Sequence, residues 1–346
     1  MDNSKTRNYG IDFLRIVLIL FIIFHHTILR GTVGLRSLES GNFNIDQAPF
    51  VFVNCFLIVA VNCFFLISGY FGIHKNYKKL IKFVCSVYFF YWVINIVALL
   101  LGVQTFTLEL LKGLIFPISQ YWFILVYLVL SFLAPYVEIM LETLDLADQR
   151  ILICVLIVLW MGYCFLIDNV VLGANRGYSL NFAIILYIIG NYLRKRDFKI
   201  KSQDAFLIYI SSCVINGILV GVMLFFNKQL VIWKLYSYNN PLVVIGAVSL
   251  FLVFLQNDGQ LMRKISYLGK YTIYIYIVHS TPVFANWYME GIESFCKEDL
   301  LRFVIVAIVT VSILFLLGLL LGIVYENIWK KIETKILISP NFKKDE

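Results

Sequence analysis

The sequence predicts an all-α integral membrane protein, a bundle of about ten transmembrane helices. Hydrophobic residues make up 61% of the chain and charged residues only 14%, whereas a soluble domain carries about a quarter charged residues. Mean hydropathy is +0.85. A helix that crosses the bilayer needs about 20 predominantly apolar residues. Apolar runs predict spans at 11–29, 50–71, 80–102, 121–138, 151–167, 178–193, 204–226, 241–257, 271–288 and 303–329.

The basic residues alternate between the two sides of this bundle. Twenty Lys and Arg residues fall on the side of the N-terminus, eight fall on the opposite side, and Arg15 lies inside the first span. Because cytoplasmic loops carry the excess of positive charge, both termini are expected in the cytoplasm. Topology and contact with membrane lipids explain the net charge of +8, which therefore does not indicate a nucleic-acid partner.

The chain leaves no room for a second folded domain. The longest stretch between predicted spans, 30–49, has twenty residues. We therefore expect one transmembrane domain over 1–346, with no attached extracytoplasmic domain. The seven cysteines include no C-x-x-C pair, so neither a zinc site nor a disulfide framework is predicted, and no metal is expected.

The first span carries four residues that a simple anchor would avoid, namely Asp12, Arg15, His25 and His26. Charge inside a membrane is expensive and is usually retained for a function. A helix turns about 100° and rises about 1.5 Å per residue, so Arg15 and His26 lie about 20° apart around the helix and about 16 Å apart along it. Asp12 lies about 40° from His26 on the same face, whereas His25 is about 80° from Arg15.

This face predicts a polar path into the bundle that runs from Asp12 and Arg15 to a reactive group at His26. His26 is a candidate general base or acyl-accepting nucleophile, and Arg15 a candidate partner for an anionic or carbonyl oxygen. Asp12 completes the predicted catalytic set. The alternative is structural: Arg15 extends its charged end to the interface while His26 caps the outer end of the helix.

Four motifs in this order resemble the membrane acyltransferase 3 family of bacterial O-acetyltransferases. The first helix carries DFLR at 12–15 and an arginine and a histidine separated by ten residues at 15–26. A Phe-rich run closes in Ser-Gly-aromatic at 63–71, and a Trp-containing start opens the fourth span at 121–130. The ninth span reads LGKYTIYIYIVHSTP at 268–282, similar to the family's Leu-Gly-Lys…Tyr…His pattern.

The resemblance implies a transferase reaction and a cellular setting. An acyl group, usually acetyl, passes from cytoplasmic acetyl-CoA to a hydroxyl of a cell-surface polysaccharide, of the capsule or cell wall, or of its lipid-linked precursor. The protein would be a multi-pass enzyme of the bacterial plasma membrane, with Arg15 and His26 as the essential pair. With no extracytoplasmic domain expected, it either modifies the acceptor itself or hands the group to a partner in the polysaccharide pathway.

Four further residues are candidates for lining the substrate path. His279 lies in the ninth span three residues before Pro282, as a cavity-wall histidine or a core histidine. Ser68 lies on the cytoplasmic side, as a nucleophile, as a hydroxyl that contacts substrate, or as part of a helix end closed by Gly69. Trp122 is a sugar-stacking residue or an interface anchor, and Glu326 is a lining residue or marks the exit of the last helix.

Coenzyme A carries several phosphates, so a cationic vestibule is expected at the cytoplasmic mouth. Lys78, Lys79, Arg194 and Arg196 are candidates, although topology already explains such residues. The chain has no G-x-x-x-x-G-K-[ST] or G-x-G-x-x-G motif, so neither a nucleoside triphosphate nor a dinucleotide is predicted as a ligand.

The alternative function is that of a transporter or flippase for a glycan lipid, with Arg15 and His26 lining the path. Such proteins show internal repeats or paired Gly/Pro-broken helices, and neither is evident in the sequence. Within the acyltransferase prediction, direct transfer in a ternary complex and transfer through an acyl-enzyme both remain open.

Overall fold

A computed structural model describes residues 7–31, 48–167, 172–296 and 300–338. These residues form helices and turns, with no β-strand among them. The helices, numbered here in chain order, are α1 (Tyr9–Gly31), α2 (Ala48–Leu57), α3 (Ala60–Phe71), α4 (Tyr77–Leu100), α5 (Leu108–Ile115), α6 (Trp122–Thr143), α7 (Leu146–Leu156), α8 (Leu180–Arg196), α9 (Ser202–Phe225), α10 (Gln229–Leu235), α11 (Pro241–Leu255), α12 (Gln260–Ile265), α13 (Thr272–Ser280), α14 (Pro282–Cys296) and α15 (Leu300–Ile338). A π-helical stretch, Ile157–Tyr163, continues α7, and a 3-10 segment, Ser266–Tyr271, joins α12 to α13.

Seven helical segments of the described chain are long and apolar enough to cross a membrane. The count is eight if α11 and the segment from α12 through α13, which are bent by 95°, form one span. The all-helical, multi-pass architecture is therefore confirmed, but the expectation of about ten spans is not. The predicted span at 178–193 corresponds to α8, which has only 17 residues, and the one at 271–288 is divided between α13 and α14. The number and length of these apolar helices are those of a multi-pass membrane protein.

Helix α1 lies inside the bundle rather than at its edge. It packs against α2, α3, α11, α13, α14 and α15, and Leu14, Leu18 and Ile23 on it are fully buried. Most side chains of α7 and α15, by contrast, are exposed, as expected for surfaces that face lipid. Protein therefore surrounds the span that carries Asp12 and Arg15, and polar groups there meet partners instead of hydrocarbon.

One of the predicted spans is interrupted, and another contains a two-residue turn. The second span turns at Ile58 and Val59, between α2 and α3, but Val59 keeps helical dihedral angles and the segment remains one continuous span. The ninth breaks at Thr281, an extended residue between α13 and α14, where Pro282 has no N–H to continue the helical hydrogen bonds. Irregular backbone at membrane depth is tolerated where protein buries it or where it lines a cavity. Thr281 is fully buried, and Ile58 lines a cavity.

Gly69 does not end the second span, contrary to one interpretation of its sequence. Helix α3 continues to Phe71, and Gly72 closes it with a φ of 75°. A Cβ at Gly69 would lie 2.0 Å from the backbone oxygen of Tyr187 on α8, and a Cβ at Gly190 would meet the backbone of α3 at 2.4 Å. These two glycines therefore let α3 and α8 approach backbone to backbone, as small residues do in membrane bundles.

Candidate active site

The acid and the cation of α1 belong to one ion-pair cluster. Asp12 Oδ1 accepts a hydrogen bond from Arg15 Nη1. Asp12 Oδ2 accepts a second one, of 2.7 Å, from Arg7 Nε. The carboxylate is shared by two guanidinium groups, so it orients and partly neutralises Arg15. It lies far along α1 from His26, and we assign it a supporting position rather than contact with the reacting atoms.

A cavity of about 970 Å³, here called the large cavity, opens beside this cluster. From α1 it is lined by Asp12, Arg15, Ile19 and Ile22. Their spacing places them on one face of the helix, and His26 follows one turn beyond Ile22. The structure thus puts Arg15 and His26 along one continuous wall, which is the arrangement that the helical geometry predicts.

Cationic side chains outnumber acidic ones around the large cavity. Among its described lining residues the cations are Arg7, Arg15, Lys75, Lys79 and Lys270, and the acid is Asp12. A cavity with charges of one sign and low-dielectric walls focuses its potential and attracts ligands of opposite charge. The large cavity is therefore suited to an anionic ligand.

The predicted donor-binding cations separate into two groups. Lys79 lines the large cavity, whereas Lys78, Arg194 and Arg196 are not among its lining residues. Arg194 Nη2 instead lies 3.6 Å from Glu138 Oε1. Position on a helix face explains the difference between Lys78 and Lys79, since adjacent residues of a helix point about 100° apart.

A pair of histidines lies at the far end of the α1 wall. His26 Nδ1 is 3.2 Å from His279 Nε2, and the centroids of the two rings are 5.3 Å apart. His279 is fully buried. It projects from α13, 253 positions away in the chain. The sequence predicted His279 as a residue lining the path but did not pair it with His26.

The hydrogen bonds of His279 determine the protonation pattern of the pair. His279 Nδ1 lies 2.8 Å from the carbonyl oxygen of Ile275, which only accepts, so Nδ1 carries a proton. In neutral His279 the lone pair is then on Nε2, where both His26 Nδ1 and the Ser280 hydroxyl, at 3.1 Å, are positioned to donate. A hydrogen bond between the two rings therefore requires His26 to donate from Nδ1, a tautomer whose lone pair is on Nε2.

The break after α13 is held by its own hydrogen bonds. Thr281 Oγ1 donates to the carbonyl oxygen of Ile277, and the hydroxyls of Thr281 and Tyr121 are 2.8 Å apart. Tyr288 of α14 donates to the carbonyl oxygen of His279 at 3.3 Å. These contacts tie α13 to α6 and α14, and they limit the movement of the His279 ring. Sequence reasoning missed Tyr121 as a supporting residue, because only the fold brings it to Thr281.

A second, smaller cavity adjoins His26. It has a volume of about 20 Å³ and is lined by Ile22, His25, His26, Leu57, Ile58, Ala60, Val61, Trp122, Phe123, Tyr238 and Tyr276. Ile22, Phe123 and Tyr276 also line the large cavity. We call this second space the small cavity, and the three shared residues the constriction. The two cavities therefore lie on either side of the constriction, one turn of α1 before His26.

His25 has a different environment from its neighbour. Its Nδ1 atom lies 2.5 Å from Asn54 Oδ1 on α2. Both His25 and Asn54 are buried. The His25 ring also touches the small cavity, but its hydrogen bond anchors α1 to α2 rather than to α13. This agrees with the angular separation of His25 from the Arg15 face.

The three remaining predicted residues, Ser68, Trp122 and Glu326, lie in different places. Ser68 lines the large cavity and donates to the carbonyl oxygen of Phe64, and Trp122 lines the small cavity. Glu326 lines neither cavity. Its carboxylate accepts hydrogen bonds of 2.7 Å from Lys82 and 2.5 Å from Tyr274, which join α15 to α4 and α13. Glu326 is therefore a structural tie between helices.

The described residues contain no group of three or more His, Cys, Asp or Glu side chains arranged to hold a metal ion. The ionisable side chains among the described lining residues of the small cavity are His25, His26, Tyr238 and Tyr276.

Fold and site together define a multi-pass membrane protein with a cation-lined cavity and, beyond it, a pair formed by the partly buried His26 and the buried His279. A family model described as an acyltransferase domain matches residues 8–325, nearly the whole chain. The chain belongs to the acyltransferase 3 family, so the resemblance seen in its motifs is confirmed, and the protein is a membrane acyltransferase. Neither a curated protein nor a solved structure matches it.

Proposed function

We propose that this protein transfers an acetyl group from acetyl-CoA to a hydroxyl of a cell-surface polysaccharide or its lipid-linked precursor. The observation that carries the proposal is the His26–His279 pair, which lies one helical turn beyond a large cation-lined cavity. The excess of positive charge on the N-terminal side of the spans supports a bacterial plasma-membrane protein with both termini in the cytoplasm. The large cavity then opens toward the cytoplasmic pool of the donor.

The donor would enter the large cavity with its thioester end first, so that its phosphates stay near the opening. Arg7, Lys75, Lys79 and Lys270 provide charge near the opening for the phosphates of coenzyme A. The pantetheine arm is thin and flexible, and it would follow the α1 face from Arg15 toward His26, about 16 Å along the helix axis. Its thioester would reach the constriction, and the side chains of Ile22, Phe123 and Tyr276 would have to separate to bring it to His26, because the small cavity has a volume of only about 20 Å³.

His26 would act as the general base. Its Nε2 lone pair takes the proton of the acceptor hydroxyl while the hydroxyl oxygen attacks the thioester carbonyl carbon. The carbon–sulfur bond then breaks, and the proton on Nε2 passes to the departing thiolate. The products are an O-acetyl ester and coenzyme A. His279 holds the tautomer of His26 and accepts from its Nδ1–H, so it stabilises the imidazolium that forms, as the third member of a catalytic triad does.

The same lone pair serves a covalent route. His26 Nε2 would first attack the thioester, release the thiol and hold the acetyl group until the acceptor hydroxyl displaces it. Intact-protein mass spectrometry after incubation with acetyl-CoA and no acceptor separates the two routes. An added acetyl mass that disappears with acceptor supports the covalent route, and unmodified protein supports direct transfer.

The test of the activity compares His26→Ala with His25→Ala in purified, detergent-solubilised protein. Transfer of radiolabelled acetyl from acetyl-CoA to a glycan acceptor is the readout. Loss of a general base lowers turnover by about 100-fold or more, whereas His25→Ala should cost stability more than turnover, because its hydrogen bond joins α1 to α2. Wild-type activity in a well-folded His26→Ala protein would overturn the mechanism.

A glycan-lipid transporter or flippase remains the second candidate, and one observation favours it. The ninth predicted span is broken between α13 and α14 at Thr281, and discontinuous helices are common at transporter substrate sites. A deletion strain separates the functions. Accumulation of unexported lipid-linked glycan supports transport, whereas normal export of glycan that lacks only its acetyl groups contradicts it.

A further inference from the structure

The small cavity has room for a single water molecule. Its volume is about 20 Å³, and a cavity of at least about 10–15 Å³ accommodates one water when two to four polar groups can bond it. The residues that line it include His25, His26, Trp122, Tyr238 and Tyr276, whose side chains carry N–H groups, hydroxyls or ring nitrogens. No Lys, Arg, Asp or Glu is among its described lining residues. The space therefore suits a small neutral molecule.

The turn between α2 and α3 provides most of the aliphatic wall of this space. Leu57, Ile58, Ala60 and Val61 lie at or beside the turn and line the small cavity, and each of them is buried. Helix α1 packs against both α2 and α3. Protein interiors are close-packed and contain few voids as large as a water molecule. The size of this space therefore depends on a few side chains, and adding or removing methyl groups on them changes whether a water fits.

His26 is the base that a water in the small cavity would meet. Its Nδ1 atom lies 3.2 Å from Nε2 of His279, and His279 lines neither cavity. A His26 ring that donates from Nδ1 carries its lone pair on Nε2. The ring thus turns Nδ1 toward a residue outside the small cavity, and Nε2 is the nitrogen that can take a proton from a molecule inside it.

The thioester of the donor would approach this water from the other side of the constriction. Ile22, Phe123 and Tyr276 separate the two cavities. When these side chains move apart, the donor arm occupies the path through the large cavity, and the small cavity lies beyond the thioester. The water is then next to the carbonyl carbon and to His26, at the position that the oxygen of an acceptor hydroxyl must reach in the proposed transfer.

We propose that this protein also hydrolyses acetyl-CoA when no acceptor is bound, with a water of the small cavity as the nucleophile. This activity rests on the proposed acetyl transfer, because it uses the same donor path and the same base. His26 Nε2 takes a proton from the water while the water oxygen attacks the thioester carbonyl carbon. The carbon–sulfur bond breaks, and the proton passes from Nε2 to the departing thiolate. One thioester and one water give acetic acid and coenzyme A.

The test measures the acetate and coenzyme A released from acetyl-CoA by the full-length purified protein, without acceptor and in a detergent that has no hydroxyl groups. His26→Ala should lower the rate by about 100-fold or more. Ala60→Val adds two methyl groups at the cavity wall and should lower the rate about tenfold by excluding the water. Val61→Ala removes two methyl groups and should raise the rate. Loss of stability cannot explain these opposite effects, because both substitutions disturb a packed core.

The affinity for the donor separates an effect on the water from an effect on donor binding. Neither Ala60 nor Val61 lines the large cavity, so titration calorimetry should give the wild-type Kd for acetyl-CoA in both variants. Ala98→Val is the matched control, since Ala98 is a buried alanine of α4 that lines neither cavity. It should hydrolyse acetyl-CoA at the wild-type rate.

Three results would contradict the proposal or its basis. Equal hydrolysis in Ala60→Val and Ala98→Val would overturn it, and so would an unchanged rate in Val61→Ala if Ala60→Val does not fold. Wild-type protein that acetylates a glycan but releases no more coenzyme A than buffer does in the absence of acceptor would overturn it and leave the proposed function intact. Wild-type protein that binds no acetyl-CoA and acetylates nothing would instead refute the proposed function.

Discussion

The proposed role of His279 can be tested with two similar substitutions that should differ in their effect on activity. A glutamine side chain reaches the position of Nε2 and offers a carbonyl oxygen to accept from His26 Nδ1–H. An asparagine side chain is shorter. It reaches the position of Nδ1, where its amide donates to the Ile275 carbonyl as the histidine does, but it provides no acceptor for His26. His279→Gln should therefore retain much more activity than His279→Asn.

The magnitude follows from the hydrogen bond that is lost. In His279→Asn the 3.2 Å contact between His26 Nδ1 and residue 279 disappears, and His26, which is partly buried, loses this acceptor. A fully buried donor without an acceptor costs about 1–3 kcal/mol, which is the upper range for a partly buried one. Since about 1.4 kcal/mol corresponds to a factor of ten, turnover should fall by about 5- to 150-fold if the proton of His26 can no longer be held on Nδ1.

The assay is steady-state acetyl transfer at saturating acetyl-CoA, with kcat and the donor KM determined for both variants and the wild type. The donor KM should change little, because His279 lines neither cavity. Thermal unfolding in detergent checks that both variants fold. Equal activity of the two folded variants would refute the assignment of His279 as the residue that positions His26, whether both were active or both inactive.

Three further predictions concern other parts of the site and the fold. Arg15→Ala should raise the KM for acetyl-CoA about tenfold, which corresponds to a loss of about 1.4 kcal/mol of binding free energy, with the largest effect at low salt. An unchanged KM would remove Arg15 from the donor path. Ile22→Ala should widen the constriction and increase the kcat/KM for butyryl-CoA relative to acetyl-CoA, and a competition assay in which the ratio stays at its wild-type value would contradict this. Gly69→Ala should lower the free energy of unfolding by about 1–3 kcal/mol, because its Cβ would lie 2.0 Å from the backbone of α8. Gly291→Ala is the control and should leave this free energy unchanged, since no atom lies within 4 Å of a Cβ there. Equal melting temperatures of the two variants would show that α3 and α8 tolerate separation.

Much of the site on α1 was predictable because helical periodicity is local. Once the first span is helical, the angles among Asp12, Arg15 and His26 follow from the rotation per residue. The structure places Asp12 and Arg15 in the large cavity and His26 at the small one along the same wall. The separate environment of His25, paired with Asn54, follows from the same angles.

Residues contributed by other helices were predicted less well. Lys78 and Lys79 are equivalent in composition and in charge, and only the rotation of α4 against the bundle decides that Lys79 lines the large cavity. Glu326 looked like a possible lining residue, but its pairing with Lys82 and Tyr274 depends on how α15 crosses α4 and α13. Crossing angles and rotations of this kind are set by side-chain packing over whole helix surfaces.

The sequence by itself determined that this is a multi-pass helical membrane protein, which family it resembles, and which face of its first helix is polar. Hydrophobic content, charge distribution and helical periodicity are properties of the chain that need no tertiary contacts. Only the tertiary structure decided that His279 meets His26 across 253 residues and that the small cavity lies between Trp122 and Tyr238. Such contacts join segments whose relative positions depend on the packing of the whole bundle, and no local pattern encodes them.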